Sequence, residues 1–341
     1  MEFLNAVWEA IVRWVYGFFG IQIIMDALAK NEPIPVQGYL QAIFGGIVAL
    51  LGILSVHRFL YFILGVFGRS PKYPEAPKDK RYAFILAAWN EEKVIGNLIK
   101  DIRAMDYPQD LIEIFVVADN CTDKTGEIAA SLGAHVYYHN CKSEHSKGYG
   151  LRSLVSQMSK DIDIAKDFYA YSILDADNVP APDYLSKINN YLQATNVDEC
   201  VGYRNSKNLS ENWISAMCGV QNYGHCVNGL RPRAILGVSQ EMYGPSTTLR
   251  SYILADGGWK WVSLTEDLEM AIDLTARGYK TGYTEEAVFY EEQPNKLKLL
   301  WRQRTRWSRG GLIAFKNYGG RLLKSFFKKP SWSKYDIFWQ T

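Results

Sequence analysis

The sequence predicts an α/β domain, a mainly parallel sheet with helices on both faces, tied to a membrane by an apolar helix that precedes it. Three observations carry this reading: a long uncharged apolar run before residue 70, a proline-rich break after it, and then short apolar strands alternating with helical segments. At 341 residues, 48% apolar and 14% aromatic, the chain has ample material for a packed core.

The first segment, Phe3 to Leu28, is mostly apolar, but Asn5, Glu9, Arg13, Gly17 and Gly20 make a polar or small stripe at helical spacing. Residues 1–38 are therefore read as an interfacial or membrane segment. A cleaved signal peptide is disfavoured, because the apolar run is long and no basic region precedes it. From Tyr39 to Val56 there is no charge, and after His57 and Arg58 the run resumes as far as Phe67. Residues 39–68 are thus long enough to span a bilayer, which takes ~20 apolar residues. Arg58, Arg69, Lys72, Lys78, Lys80 and Arg81 crowd the far flank, while Lys30 stands alone on the near one. The positive-inside rule then places everything after residue 70 in the cytoplasm, at the cell membrane.

Pro71, Pro74 and Pro77 mark residues 69–80 as a stiff linker. Beyond it, Tyr82–Ala88 reads as a strand, Asn90 as the cap of a helix running to about Ala104, and Ile112–Ala118 as a second strand. A helix at 122–132 ended by Gly133, a strand at 134–138, a helix near 148–159 and a strand at 168–174 follow. The alternation defines a domain over residues 81–295, whose ligands belong at the carboxyl ends of the strands. Residues 296–341 read as interfacial amphipathic helices bearing Lys324, Lys328 and Lys329, with Lys334 to Thr341 resembling the start of a further span.

A net charge of +2 offers no footprint for nucleic acid, so any anionic ligand must be handled locally. Five cysteines, odd in number and without a Cys-x-x-Cys pair, argue against a disulfide framework and a zinc module. His139, Cys141 and His145 match no common metal-site spacing and are read as an ordinary loop.

Strand 168–174 runs into Asp175-Ala-Asp177, and residues two apart in extended chain point the same way. Both carboxylates can then meet one hard cation, Mg2+ or Mn2+, and through it a diphosphate. Taken alone, this pair is more often a turn after a strand. In Thr265-Glu266-Asp267, Ser263 or Thr265 can cap a helix that ends at Gly278, leaving Asp267 in the first turn, where the helix dipole favours an ionised base. The plain alternative is a capping acid. In Gln303-x-x-Arg306-Trp307 an amide, a guanidinium and an indole share one helical face, suited to a phosphate and a sugar ring; Arg302, Arg304 and Arg309 could instead lay this helix on anionic lipid. Asp119 ends a strand where it can accept from a base or ribose, and Lys147-Gly148 opens a helix where a cation and free amides can meet a nucleotide. No Gly-x-Gly-x-x-Gly follows the first strand, which removes the main dinucleotide signature.

In this order, Ala87-Ala88-Trp89-Asn90-Glu91-Glu92, Asp119, Lys147-Gly148, Asp175-Ala-Asp177, Thr265-Glu266-Asp267 and Gln303-x-x-Arg306-Trp307 resemble family 2 glycosyltransferases of the processive membrane type, such as cellulose, chitin, hyaluronan and bacterial beta-glucan synthases. The likeness runs over roughly residues 40 to 318. It implies a GT-A fold and a UDP-sugar donor. It further implies that Glu91, Asp119, Lys147 and Asp175 hold the nucleotide, and that Asp175 and Asp177 hold Mg2+ or Mn2+. Gln303 and Arg306 would face the donor diphosphate, Trp307 and Glu266 the acceptor, and Asp267 would be the catalytic base. The expected activity is inverting transfer of a sugar, glucose as the leading guess, to the growing end of a beta-linked polysaccharide. A non-processive transfer onto a lipid or short saccharide is the alternative, and a non-catalytic membrane scaffold a third.

The chain departs from the family pattern in three places. Ala88-Trp89 stands where relatives often have Pro-Ala; Tyr243-Gly244-Pro245-Ser246-Thr247-Thr248 occupies the acceptor-facing stretch where many carry a Gly-rich loop; and processive relatives continue into several more membrane helices.

Overall fold

The computed structural model describes residues 2–141, 143–144, 146–240 and 244–340. His145, Tyr243, Thr341 and the Asn5 side chain lie outside the described residues. The chain divides into two compact units, Met1–Ile63 and Leu64–Thr341.

In the first unit, α1 (Glu2–Phe18) and α2 (Ile21–Ala29) are separated by Gly20, whose left-handed φ of 64° breaks the helix; Val12–Phe18 and Ile21–Ala29 meet there at 84°. The Glu9–Arg13 pair lies on the exposed side of α1. The long helix α3 (Val36–Phe67) begins in this unit and ends in the next. Its 32 residues have a mean hydropathy of 2.1 over the most apolar stretch, and among the described residues it alone is long and apolar enough by itself to cross a membrane.

The second unit is built on an eight-stranded sheet. Its elements are β1 (Tyr82–Ala88), α4 (Ile95–Arg103), β2 (Ile112–Asp119), α5 (Thr125–Ser131), β3 (His135–His139), α6 (Lys147–Met158), β4 (Ala170–Asp175), β5 (Val179–Pro180), α7 (Tyr184–Ala194) and β6 (Glu199–Ser206). There follow α8 (Trp213–His225), α9 (Arg231–Leu236), β7 (Thr247–Arg250), α10 (Ser251–Ala255), α11 (Glu266–Arg277), β8 (Thr281–Glu291), α12 (Leu297–Ala314), α13 (Gly320–Lys328) and α14 (Trp332–Phe338). The strand order is β3-β2-β1-β4-β7-β6-β8-β5. The first four strands are parallel, as the alternation predicts, but β7 runs antiparallel to both β4 and β6, so the sheet is mixed.

Side-chain alternation splits the core in two. Tyr82, Phe84 and Leu86 of β1 pack with α4 and α7 on one face, while Ala83 and Ile85 pack with α6 and α11 on the other. Both faces are covered, which is why β1 and β2 read as continuous apolar runs.

One local expectation is corrected. Asn90 does not cap α4, which starts only at Ile95; Asn90 sits at φ 56° and its Oδ1 accepts from the Thr122 amide, spending the side chain on the β2–α5 loop. Within the C-terminal residues, read as interfacial helices and the start of a span, α13 and α14 each pack one side on the second unit. On α13, Leu322 is fully buried and Arg321 donates to Asp273 of α11 at 2.5 Å. On α14, the buried Asp336 accepts from Arg233 at 2.6 and 3.1 Å, and Lys334 donates to the Ser325 and Lys329 carbonyls. Breaking such a buried pair from one side costs about 3–5 kcal/mol, which is why this short helix stays docked. Lys324, Lys328 and Lys329 remain exposed.

The last turn of α3 is seated on the helical stretch between α8 and α9. A Cβ on Gly65 would lie 1.6 Å from the Val227 carbonyl oxygen, so only glycine fits, and Arg231 donates to the Gly65 carbonyl at 2.9 Å.

Candidate active site

Four strand ends and two helix starts converge at the carboxyl edge of the parallel half of the sheet. At the end of β1, the Glu91 amide donates to Thr125 Oγ1 at 2.8 Å and the Glu92 amide to Asp123 at 3.2 Å, which locks the β1 and β2 loops together. Asp119 ends β2 and is buried. Asp175 ends β4 in register with Ala87 of β1, and the buried Asn178 accepts from the Asp175 amide and donates to Asp177 Oδ1, both at 3.1 Å. Both aspartates are thereby presented by one tight turn, Ala176 and Asp177 having left the extended conformation that the i, i+2 reading assumed.

Lys147 opens α6 and its ammonium pairs with Asp175 and, at 3.6 Å, with Glu266. The glycine after it has a steric reason: a Cβ on Gly148 would lie 2.4 Å from the Trp261 carbonyl oxygen. Ser146 Oγ donates to the Val262 carbonyl at 2.8 Å, so the start of α6 is tied to the loop leading into α11.

Glu266 and Asp267 occupy the first turn of α11, and Gly278 ends that helix at φ 90°. Thr265 does not cap it through its side chain; nor does Ser263. The loop is held instead by Glu269, a residue the sequence reading passed over, whose carboxylate accepts from the Val262 and Ser263 amides at 3.2 and 3.1 Å and from Asn317 at 2.9 Å. Asp267 accepts from the Leu268 amide at 2.9 Å. Helix α12 delivers Gln303, Arg306 and Trp307, with Arg306 donating to the Leu264 carbonyl at 3.0 Å. The helix approaches this closely because residue 310 is glycine: a Cβ there would lie 2.3 Å from the Thr265 methyl.

The predicted residues fall into two adjoining clefts. The larger, about 640 Å³, is lined by Glu91, Asp119, Lys147, Asp175 and Asp177. The smaller, about 250 Å³, is lined by Glu266, Asp267, Gln303, Arg306 and Trp307. They share Ser146, Lys147 and Asp175 as a common wall. Three residues absent from the sequence reading join them. Arg204 of β6 and Glu291 at the end of β8 form a largely buried ion pair at 3.1 Å, and both line the smaller cleft. Lys207 donates to the Asp177 carbonyl. The available signal for Arg204 was a charged side chain that follows the short apolar run Cys200–Tyr203 in β6.

Charge is crowded here. Burial, reinforced by Asp175 and Glu291, pushes the Asp177 carboxyl up to about 6 against the relief from Lys207. Burial raises Glu91 as well, with Asp177, Asp123 and Asp175 adding to it. Glu266 is pushed up to about 7, chiefly by burial and only partly offset by Lys147. Burial also raises Asp267, opposed by the Leu268 amide, Lys147, Arg204 and Arg306. At Lys147 burial works against the charge, yet Asp175 and Glu266 outweigh it and hold the ammonium firmly protonated. Carboxylate oxygens crowded to the point of resisting ionisation are a donor set suited to a hard divalent cation.

The family described as glycosyltransferase like family 2 matches residues 77–310. A beta-monoglucosyldiacylglycerol synthase of Nostoc sp. is 27% identical over 293 residues, 82% of this chain and 58% of that protein. A poly-beta-1,6-N-acetyl-D-glucosamine synthase of Staphylococcus aureus is 25% identical over 259 residues, 75% of this chain and 58% of that protein. The chain thus spans somewhat over half the length of these relatives. Among solved structures, the mannosyltransferase PcManGT from Pyrobaculum calidifontis, in complex with GDP-Man and Mn2+, superposes with a TM-score of 0.58 at 18% identity, covering 79% of this chain and 74% of that one.

Proposed function

The chain belongs to glycosyltransferase family 2 and has the GT-A fold, and on that premise we propose that it transfers a sugar, with inversion, from a UDP-linked donor to a hydroxyl at a membrane surface. The observation that supports this reading is the meeting of the two clefts at Lys147 and Asp175, so that a nucleotide in the larger and an acceptor in the smaller would share one wall. In the larger cleft Glu91, Asp119 and Lys147 bind the nucleoside. Asp175 and Asp177 would hold Mg2+ or Mn2+, which when bound supplies positive charge to the donor diphosphate.

In the smaller cleft Asp267, ionised and beside Arg306, accepts the proton of the acceptor hydroxyl. The freed oxygen attacks the anomeric carbon as the carbon–oxygen bond to UDP breaks, and the electron pair leaves on the terminal phosphate. Gln303 and Arg306 meet that growing charge from α12. Trp307 offers its face to the acceptor, and Glu266 orients it. An α-linked donor therefore yields a β linkage.

The membrane reading rests on α3 and on a ridge of α8, where Trp213, Met217 and Val220 recur at helical spacing with 63%, 46% and 70% of their surface exposed. Arg304 ties this ridge to the site, donating to Gln221 of α8 at 2.6 Å while stacking over the Trp307 ring at 4.4 Å. An apolar surface leading to the acceptor tryptophan favours a lipid acceptor, as in the glucolipid synthases to which the chain is similar. The growing end of a beta-linked polysaccharide is the second reading, favoured by the likeness to poly-N-acetylglucosamine synthases. In either case the basic residues that follow α3 support a cytoplasmic side for the catalytic unit.

Membranes carrying the full chain, given a panel of labelled UDP-sugars with Mg2+ or Mn2+, are expected to convert UDP-glucose into a solvent-extractable glycolipid, and chelation to stop the reaction. Label in a glycanase-sensitive precipitate would select the polysaccharide reading. Failure of every UDP-sugar to release UDP above background would leave a non-catalytic scaffold.

A further inference from the structure

The loop after β3, set aside in the sequence as unremarkable, connects to the larger cleft through a chain of hydrogen bonds. Asp119 and His139 are register partners at the ends of β2 and β3. Their side chains are nearly equally buried, and His139 Nδ1 donates to Asp119 Oδ1 at 2.8 Å. Asn120, at φ 51°, turns its amide onto the same oxygen at 2.9 Å. Behind the ring, Nε2 lies 3.1 Å from Glu144, whose other oxygen is held by Arg152 at 3.0 Å. The ligand-type atoms of His139, Cys141 and Glu144 lie within 4.8 Å of one another. Arg152 already supplies the cation that Glu144 needs, and His139 already bridges two carboxylates, so this group is accounted for as a relay without an ion.

We propose that His139 is a positioning residue that fixes Asp119 as an acceptor-only carboxylate and so selects the base of the donor nucleotide. This rests on Asp119 being a base contact. Both donors fall on Oδ1, and Oδ2 is left for the ligand; the missing side chain of Gly150 keeps that side open, since a Cβ there would lie 3.2 Å from Oδ2. A carboxylate only accepts, so the rigid Oδ2 demands an N–H from the base. Uracil offers one at N3. Cytosine presents a bare ring nitrogen there, and its lone pair would oppose the carboxylate. A free Asp119 could swing away from cytosine; one pinned by His139 cannot.

The test is UDP and CDP binding to the full chain by calorimetry, beside steady-state kinetics. His139→Ala is expected to weaken UDP roughly tenfold, the loss of one charge-assisted hydrogen bond, and to narrow the UDP-over-CDP preference. The KM for donor rises while kcat at saturation stays within about twofold. His139→Asn, whose side-chain amide can replace the Nδ1 donor, restores most of the preference. Glu144→Gln produces a smaller loss of the same sign, and it serves as the reading should the alanine variant not fold. Unchanged UDP and CDP binding in folded His139→Ala and Glu144→Gln, with binding lost in Asp119→Ala, would overturn the relay and spare the base contact. If Asp119→Ala itself binds UDP normally, the base contact is wrong and the relay falls with it.

Discussion

The larger and the smaller cleft are assembled in different ways. The larger one is made of strand ends, with Glu91 just beyond β1, Asp119 closing β2 and Asp175 closing β4, each delivered by a backbone ladder whose register is set over the whole strand. The smaller one is made of helices that meet across long sequence distances, with α12 lowered onto the start of α11 through Gly310 and Thr265, and Glu269 holding the intervening loop. Both are electrostatically crowded, with Asp177 pushed up to about 6 in the first and Glu266 to about 7 in the second. The second also depends on a close helix approach, because a single added carbon at residue 310 would overlap its neighbour. Both sides should therefore respond to charge, and the helical side to volume as well.

The largest expected effect comes from the smaller cleft. Asp267→Asn should lower transfer by about 10²–10⁴-fold, the usual worth of a general base, while UDP affinity stays close to that of the unaltered protein. Near-normal turnover in this variant would remove Asp267 from the base role.

Asp177→Asn probes the charge of the larger cleft. A carboxyl whose folded pKa is raised costs stability as pH climbs through about 4 to 6, because the unfolded chain ionises more readily. In metal-free buffer at pH 7 the variant should therefore be more stable by up to about 3 kcal/mol and unfold at a higher temperature, yet lose metal-dependent turnover. A lower Tm than the parent's would show that the crowding is compensated.

Gly310→Val probes the close helix approach and should cost about 1–3 kcal/mol in denaturant unfolding, with turnover reduced and UDP affinity within twofold. Equal damage to UDP binding would mean that the two clefts are one mechanical unit.

The smallest effect is on the pH profile. Asp267 works ionised, and burial raises it, so kcat should fall on acidification at a pH above the ordinary aspartate range. Glu266→Gln replaces a carboxyl that burial already holds up at about 7 and so leaves uncharged over the range where Asp267 titrates, and it should move that limb by no more than a few tenths of a pH unit. A limb displaced to lower pH by a full unit would show that Glu266 is ionised beside Asp267.

The same contrast governs what could be read in advance. The strands β1, β2, β3 and β4 fall within two residues of where apolar runs and turn residues put them, and the Asp-x-Asp pair at the end of β4 was legible because its geometry is local. The start of α4 was not legible, since Asn90 serves a neighbouring loop rather than its own helix. Nor was the antiparallel β7, a four-residue strand whose direction depends on partners more than 40 residues away.

By itself the sequence determined the apolar helix, the parallel half of the sheet and the ordered motifs, because each depends on periodicity or spacing within a few residues. Tertiary structure alone decided that Arg204 and Glu291 enter the site, that Glu269 rather than a capping hydroxyl holds the Thr265 loop, and that α14 docks through Asp336 on Arg233. Those outcomes turn on which buried charge finds which partner. A carboxylate or guanidinium removed from water must be matched wherever the fold brings a counter-charge, and no local pattern records where that will be.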